Sequence, residues 1–242
     1  GKKVFWLGFN KRINIWQILL GFAIMFVANL LANPLKEITE MALKHFPSVN
    51  ANAVALEKQY NDQVTIISNL NNWGEYILSL IIIGFLPAMF EEMLFRGALQ
   101  NLLNRWWKQA ILSIIVSSLL FSLVHMSYFL FFSRAILGFA LGWMFWRSKN
   151  IWVNIIAHFI NNGLVLTVLF YESGKGAKPD IDKMDPAMPL WSAFVSLAIL
   201  IALCWLFEKV SVKNRIAVEL KESVLIKTHD DLYDFPEQKN MV

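Results

Sequence analysis

Long apolar segments make up most of this sequence, and they limit the folds open to it. Of the 242 residues, 57% are hydrophobic and 17% are charged, whereas a soluble domain has roughly 25% charged residues. A helix that crosses a bilayer needs about 20 mostly apolar residues. Six segments meet this description: 13–31, 76–103, 109–126, 128–146, 151–171 and 190–207. The sequence therefore predicts an all-α, polytopic membrane helix bundle with about six transmembrane helices.

Basic residues beside the apolar segments predict the orientation of the bundle. They precede the first segment and follow the second, fourth and sixth: Lys2, Lys3, Lys11, Arg12, Arg105, Lys108, Arg147, Lys149, Lys209, Lys213 and Arg215. With six crossings these groups fall on one side, and the positive-inside rule makes that side cytoplasmic. We therefore expect an integral, multi-pass membrane protein with both termini in the cytoplasm. The location that we expect for it is a bacterial inner membrane.

The polar parts of the chain predict its domain organisation. Residues 1–208 are expected to form the membrane bundle, including an outer loop at 33–73 with short amphipathic helices. Residues 209–242 carry mixed charge and are predicted to form a cytoplasmic tail. The net charge of +4 is spread between apolar segments rather than gathered on one face. Membrane lipid is therefore an expected partner, and nucleic acid is not.

Three ionisable residues interrupt the second apolar segment, in the order Glu91-Glu92-x-x-x-Arg96. Ionisable groups at such depth cost about 2.5–3.5 kcal/mol each on insertion scales, which marks them as candidates for function. On a helix Glu92 and Arg96 are four residues apart and share a face, so we predict an ion pair that supports the site. Glu91 points about 100° away from that face. It is therefore free to act as a base toward water.

Polar side chains also lie inside other apolar segments. His125 lies near the end of the third segment, and His158 and Asn162 share one helical face in the fifth. Helix rise places these residues and Glu91 at depths of roughly 12 to 25 Å, which overlap imperfectly. Spacing alone therefore leaves open whether the four side chains meet in one cavity.

The fourth segment combines a cation with a pair of glycines. Arg134 lies about two turns from the outer end, where its side chain can extend to the lipid headgroups. Gly138 and Gly142 follow, and glycines at this spacing allow close approach of another helix. Neither feature requires a catalytic explanation.

Taken in order, the three patterns Glu-Glu-x-x-x-Arg, Phe-x-x-x-His and His-x-x-x-Asn resemble the motifs of the CPBP intramembrane proteases. This family includes the CAAX prenyl endopeptidases and bacterial proteins linked to bacteriocin self-immunity or abortive infection. The resemblance covers residues 73–170 and includes Gly97, which follows Arg96 as is typical of the first motif. It implies an intramembrane endopeptidase that hydrolyses a membrane-associated peptide through a water activated by glutamate.

The resemblance also implies a role for each candidate residue. Glu91 would be the general base, with His125 as its partner in positioning and activating the water. His158 and Asn162 would stabilise the oxyanion of the tetrahedral intermediate, and such donors contribute about 2.7–4 kcal/mol each. The expected substrate is a membrane-anchored or prenylated peptide.

Three alternatives remain open at this point. Two histidines and a glutamate are a sufficient ligand set for catalytic zinc, but the usual His-Glu-x-x-His helix is absent, so we expect no cofactor. The chain could instead be a scaffold or immunity protein of the same fold, with little proteolysis and a membrane protein partner. A transporter that carries protons on Glu91 is the third, although no inverted repeat is visible.

Overall fold

The structure, a computed structural model, describes residues 7–67, 70, 72–174 and 188–233. These residues form seven helices and no strand. The helices are α1 (Ile15–Leu43), α2 (Pro47–Ile67), α3 (Trp73–Trp107), α4 (Ala110–Leu123), α5 (Phe131–Ser148), α6 (Ile151–Gly174) and α7 (Ser192–Tyr233). The predicted all-α membrane bundle is therefore confirmed. Lys2, Lys3 and residues 234–242 of the predicted tail lie outside the described residues.

Four helices are long and apolar enough to cross a bilayer, namely α1, α3, α6 and the part of α7 from Ser192 to Lys221. The other two predicted spans correspond to α4, with 14 residues, and α5, with 18 residues. A helix of the length of α4 rises only about 21 Å, less than the roughly 30 Å of the hydrocarbon core. Arg134 and Arg147 interrupt the apolar character of α5. The structure therefore supports four crossings by length and composition, and the predicted number of about six is approximate.

The first and last membrane helices continue beyond the predicted spans. α1 runs through Pro34 to Leu43, so the outer loop predicted at 33–73 begins inside a helix, and α2 follows as one helix of 21 residues. Pro34 removes one backbone donor, but the residues after it favour helix. α7 likewise passes the predicted boundary at residue 208 without a break.

The core of the bundle lies where α1, α5, α6 and α7 meet. Nine buried side chains form it: Ile24, Met25, Ala28, Ala140, Leu141, Met144, Val153, Ala157 and Phe207. The alanines among them allow the helices to approach closely. α3 packs along this assembly against α6, and α4 packs against α5 and α3. The polar residues of α3 therefore face the helices that carry the other candidate residues.

Two π-helical segments, Leu80–Phe85 and Met93–Gln100, interrupt α3. After the first of them, the Leu86 N–H donates to the carbonyl of Ile81, five residues back. Pro87 follows and has no N–H of its own to continue the regular pattern. The second segment begins directly after Glu92. π-helical turns inside α-helices occur frequently at functional sites.

The segment before α1 closes one end of the bundle. The Gly8 carbonyl accepts a hydrogen bond from the Ile151 N–H at 2.9 Å, and Asn150 Nδ2 donates to the Arg12 carbonyl at 2.9 Å. A Cβ atom at Gly97 would lie 2.9 Å from the Leu7 carbonyl oxygen. Glycine at position 97 therefore lets the N-terminal segment lie directly against α3.

Candidate active site

Glu92 and Arg96 form the ion pair that their spacing predicts. Arg96 NH1 lies 2.7 Å from Glu92 Oε1, and the two side chains are 1% and 0% exposed. A buried pair is tolerated when its remaining donors and acceptors are also satisfied. Arg96 NH2 donates to the Gly138 carbonyl at 3.0 Å, and its guanidinium carbon lies 4.6 Å from the Phe121 ring centroid. The pair thus links α3 to α4 and α5.

Two residues of α6 complete the contacts of Glu92. His158 Nδ1 lies 2.9 Å from Glu92 Oε1, and Asn154 Nδ2 donates to Glu92 Oε2 at 3.1 Å. Asn154 also donates to the Leu141 carbonyl on α5 at 2.7 Å. A carboxylate can only accept hydrogen bonds, so His158 carries a proton on Nδ1. Glu92 therefore sets the orientation of His158.

A second hydrogen bond from an α3 side chain to an α5 carbonyl lies one helical turn beyond the first. Gln100 Nε2 donates to the Gly142 carbonyl at 2.9 Å, four residues beyond the bond from Arg96 to Gly138. A Cβ atom at Gly142 would lie 2.8 Å from Gln100 Oε1 and 2.9 Å from Ile114 Cγ2. The close approach predicted for the glycine pair is therefore present, and it exposes two backbone carbonyls to α3.

Replacing Gly142 with alanine is expected to lower the free energy of unfolding by about 1–3 kcal/mol, the usual cost of overpacking. The added methyl group displaces Gln100 or Ile114. Thermal unfolding in detergent measures the loss. Gly163→Ala is the matched control within a helix, because its Cβ atom would meet a single side-chain atom at 3.4 Å. An equal effect of the two substitutions would contradict this account of the α3–α5 contact.

A cavity of about 440 Å³ lies between α1, α3, α5 and α6. Its lining includes all four residues predicted to act on substrate: Glu91, His125, His158 and Asn162. Apolar side chains of the surrounding helices, such as Met25 and Leu166, form much of the remaining wall. The structure thus brings together residues whose depths, judged from helix rise, overlapped imperfectly. Their catalytic roles remain predictions.

Glu91 lines the cavity. Its side chain is 29% exposed, and Oε2 lies 3.8 Å from His158 Nε2. Glu91 makes no hydrogen bond to any residue that the structure describes. Asn162, on α6, likewise makes no hydrogen bond to the described residues. His158 is 8% exposed. The two glutamates therefore differ as predicted, since Glu92 is fully engaged and Glu91 is available to a ligand.

His125 lies in the turn that follows α4. Its Nδ1 is 2.7 Å from the Phe121 carbonyl, a group that only accepts, so this nitrogen carries a proton and leaves Nε2 as an acceptor in the neutral ring. Phe121 lies against both histidines, with ring centroids 4.7 Å from His125 and 6.1 Å from His158. Phe121, the aromatic residue of the Phe-x-x-x-His motif, thus packs against both imidazoles.

Arg134, which was predicted to extend to the headgroups, has partners within the protein. It lines the cavity, donates from NH1 to the His125 carbonyl at 3.1 Å and lies 5.3 Å from the centroid of the Tyr60 ring. A backbone carbonyl and an aromatic face satisfy the cation inside the protein. Arg134 therefore holds the turn that carries His125, and Tyr60 brings α2 to the edge of the cavity.

Sequence reasoning missed three asparagines at the site. Asn154 lies four residues before His158, as Asn162 lies four residues after it, so the same helical spacing could have found it. Asn161 lines the cavity next to Asn162, and Asn29 of α1 donates to it. No local pattern links Asn29 to Asn161, because the two residues lie 132 positions apart in the sequence.

The part of the chain that carries these residues is similar to known proteins. A model of the family described as "Type II CAAX prenyl endopeptidase Rce1-like" matches residues 73–164, which include every candidate residue. The "Uncharacterized protein YpbD" of Bacillus subtilis (strain 168) is 31% identical over 105 residues, which are 42% of this chain and 51% of that protein. The chain thus matches about half the length of this curated relative. No solved structure matches the chain. This membrane protein is thus similar, over its central residues 73–164, to the Rce1-like family of type II CAAX prenyl endopeptidases.

Proposed function

We propose that this protein is an intramembrane endopeptidase that hydrolyses a membrane-associated peptide with a water activated by Glu91. The observation that carries the proposal is the convergence of Glu91, His125, His158 and Asn162 on one cavity. The Rce1-like family, a family of peptidases, supports the reaction class. A carboxylate that accepts no hydrogen bond from the described residues, beside two imidazoles and an amide, provides a base and hydrogen-bond donors for acyl transfer.

The reaction begins with water bound between Glu91 and His125. Glu91 removes a proton from the water, whose oxygen attacks the carbonyl carbon of the scissile peptide. His125 Nε2 accepts a hydrogen bond from the same water and so orients it. When the tetrahedral intermediate collapses, the carbon–nitrogen bond breaks and the proton held by Glu91 passes to the departing amine. No covalent enzyme intermediate is required.

The oxyanion of the intermediate is stabilised by Asn162 and His158. Asn162 offers an amide that no described residue engages. His158 already donates from Nδ1 to Glu92, so its Nε2 donates to the oxyanion only when the ring carries a second proton. Glu91 Oε2 lies 3.8 Å from that nitrogen. The proton that Glu91 takes from the water can therefore pass to His158 Nε2 while the oxyanion exists, and it returns to Glu91 before it is transferred to the departing amine. The Glu92–Arg96 pair acts by fixing the position of the His158 ring.

The substrate and membrane orientation extend this proposal. The apolar wall of the cavity suits a peptide held at the membrane, and the family description points to a prenylated peptide as its general class. The positive-inside rule, applied to the basic residues beside the apolar segments, supports a cytoplasmic location of both termini. Peptide profiling of cells that carry the wild type or Glu91→Gln tests the function. Identical peptide populations in the two strains would contradict it.

Cleavage is expected to be unchanged after incubation with 1,10-phenanthroline or EDTA, because the proposed chemistry uses protein side chains alone. The measurement is the cleavage rate of the purified protein in liposomes before and after chelation. A zinc peptidase treated in parallel controls for effective removal of metal. Loss of activity that added zinc restores would contradict the account in which Glu91 and His125 activate the water.

A further inference from the structure

Asn161 forms part of the cavity wall next to Asn162, and a chain of hydrogen bonds fixes its amide. On α1, Asn29 Nδ2 donates to the Met25 carbonyl at 2.8 Å. The same nitrogen donates to Asn161 Oδ1. An amide nitrogen carries two protons, and both protons of Asn29 Nδ2 are therefore used.

This chain determines which way both amides face. The Met25 carbonyl can only accept, so Asn29 must present its nitrogen rather than its oxygen on that side. Asn161 is bonded to that nitrogen, so it must present its oxygen to Asn29. Its own nitrogen is then the free end of the amide. Asn161 Nδ2 has no hydrogen-bond partner within the part of the chain that the structure describes.

We propose that Asn161 donates from Nδ2 to a backbone carbonyl of the bound peptide, next to the scissile bond, and that Asn29 is its positioning residue. The proposal rests on the function proposed above. Neighbouring residues on a helix point about 100° apart, so Asn161 and Asn162 do not converge on one atom. An extended peptide advances about 3.3–3.6 Å per residue. Asn162 therefore serves the oxyanion, and Asn161 holds an adjacent carbonyl.

A role in binding predicts an effect on KM more than on kcat. The contact to an adjacent carbonyl is the same in the ground state and in the transition state, and losing such a contact raises KM while leaving kcat nearly unchanged. One neutral hydrogen bond corresponds to about a three- to tenfold change. A purely structural tie between α1 and α6 would instead lower stability and leave KM unchanged.

Three variants separate these roles. Asn161→Asp keeps an oxygen for Asn29 but replaces the donor with an acceptor, so we expect near-native thermal stability and at least a tenfold rise in KM. Asn161→Ala removes both groups and is expected to raise KM about three- to tenfold. Asn29→Ala leaves the donor on Asn161 but releases the amide from its fixed orientation, so KM should rise, by less than in Asn161→Ala, and stability should fall. An unchanged KM in Asn29→Ala would contradict the positioning role of Asn29.

The assay uses the wild type and these variants in phosphatidylethanolamine–phosphatidylglycerol liposomes, with a panel of farnesylated and unprenylated membrane-anchored peptides. Glu91→Gln is included as the reference for the proposed function. Wild-type KM in both Asn161 variants, while Glu91→Gln is inactive, would overturn the role of Asn161 alone. Absence of cleavage by the wild type, or full activity of Glu91→Gln, would overturn the proposed function and this role with it.

Discussion

Glu91→Gln is expected to reduce peptide cleavage by about 10²- to 10⁴-fold, the usual contribution of a general base. Glutamine fills the same space but cannot take a proton from water. Folding should be unaffected, because Glu91 makes no hydrogen bond to the described residues and its side chain is 29% exposed. Cleavage in liposomes and thermal unfolding in detergent measure the two quantities on the same preparation.

Glu75→Gln provides the matched control for this experiment, since it makes the same chemical change on an exposed residue at the start of α3. We expect near-native cleavage from the control. Full activity of Glu91→Gln would remove the basis of the proposed mechanism. Lost activity together with lost folding would instead assign Glu91 to the stability of the bundle.

Glu92→Gln is expected to act mainly on stability, lowering the free energy of unfolding by about 3–5 kcal/mol, the cost of leaving one partner of a buried ion pair uncompensated. Arg96 would keep its charge at 1% exposure. His158 and Asn154 would at the same time face a neutral amide instead of a carboxylate. Denaturant or thermal unfolding in detergent measures the loss, and cleavage per folded molecule should fall less than in Glu91→Gln.

Glu219→Gln is the control for burial, because Glu219 also lies four residues from an arginine, Arg215, at 4.0 Å but is 49% exposed. Exposed pairs contribute about 0–1 kcal/mol.

The double variant Glu92→Gln with Arg96→Met should lose less stability than the sum of the single variants, since it leaves no unpaired charge. If Glu92→Gln keeps native stability but loses cleavage selectively, Glu92 would be the catalytic glutamate and Glu91 the supporting one.

Features set by neighbouring residues on one helix could be predicted from the sequence. The pair of Glu92 and Arg96 and the separate direction of Glu91 follow from helical spacing, and both are present. The apolar segments predicted the bundle, although α1 continues through Pro34 into the predicted outer loop. A proline removes a single donor, and the helix propensity of the residues that follow decided the outcome.

Features that depend on packing between helices could not be predicted. The bond from Arg134 to the His125 carbonyl depends on the end of α4, which the sequence around Arg134 does not indicate. The contact between Asn29 and Asn161 joins distant parts of the sequence. Periodicity shows on which face of its helix a residue lies, but it does not show which other helix packs against that face. The candidate residues could therefore be named, whereas their partners on other helices could not.

The paired bonds between α3 and α5 have a consequence for motion. Arg96 and Gln100 reach carbonyls with the same four-residue spacing on α5, so sliding one helix along the other by less than a full turn breaks both bonds together. The intermediate positions would leave a charged guanidinium and an amide without acceptors inside the bundle, which is strongly unfavourable. These two helices therefore move as one unit. Asn154 and His158 tie α6 to the same unit through Glu92 and the Leu141 carbonyl. We therefore expect the cavity to open to a peptide by displacement of α1 or α2 relative to that unit.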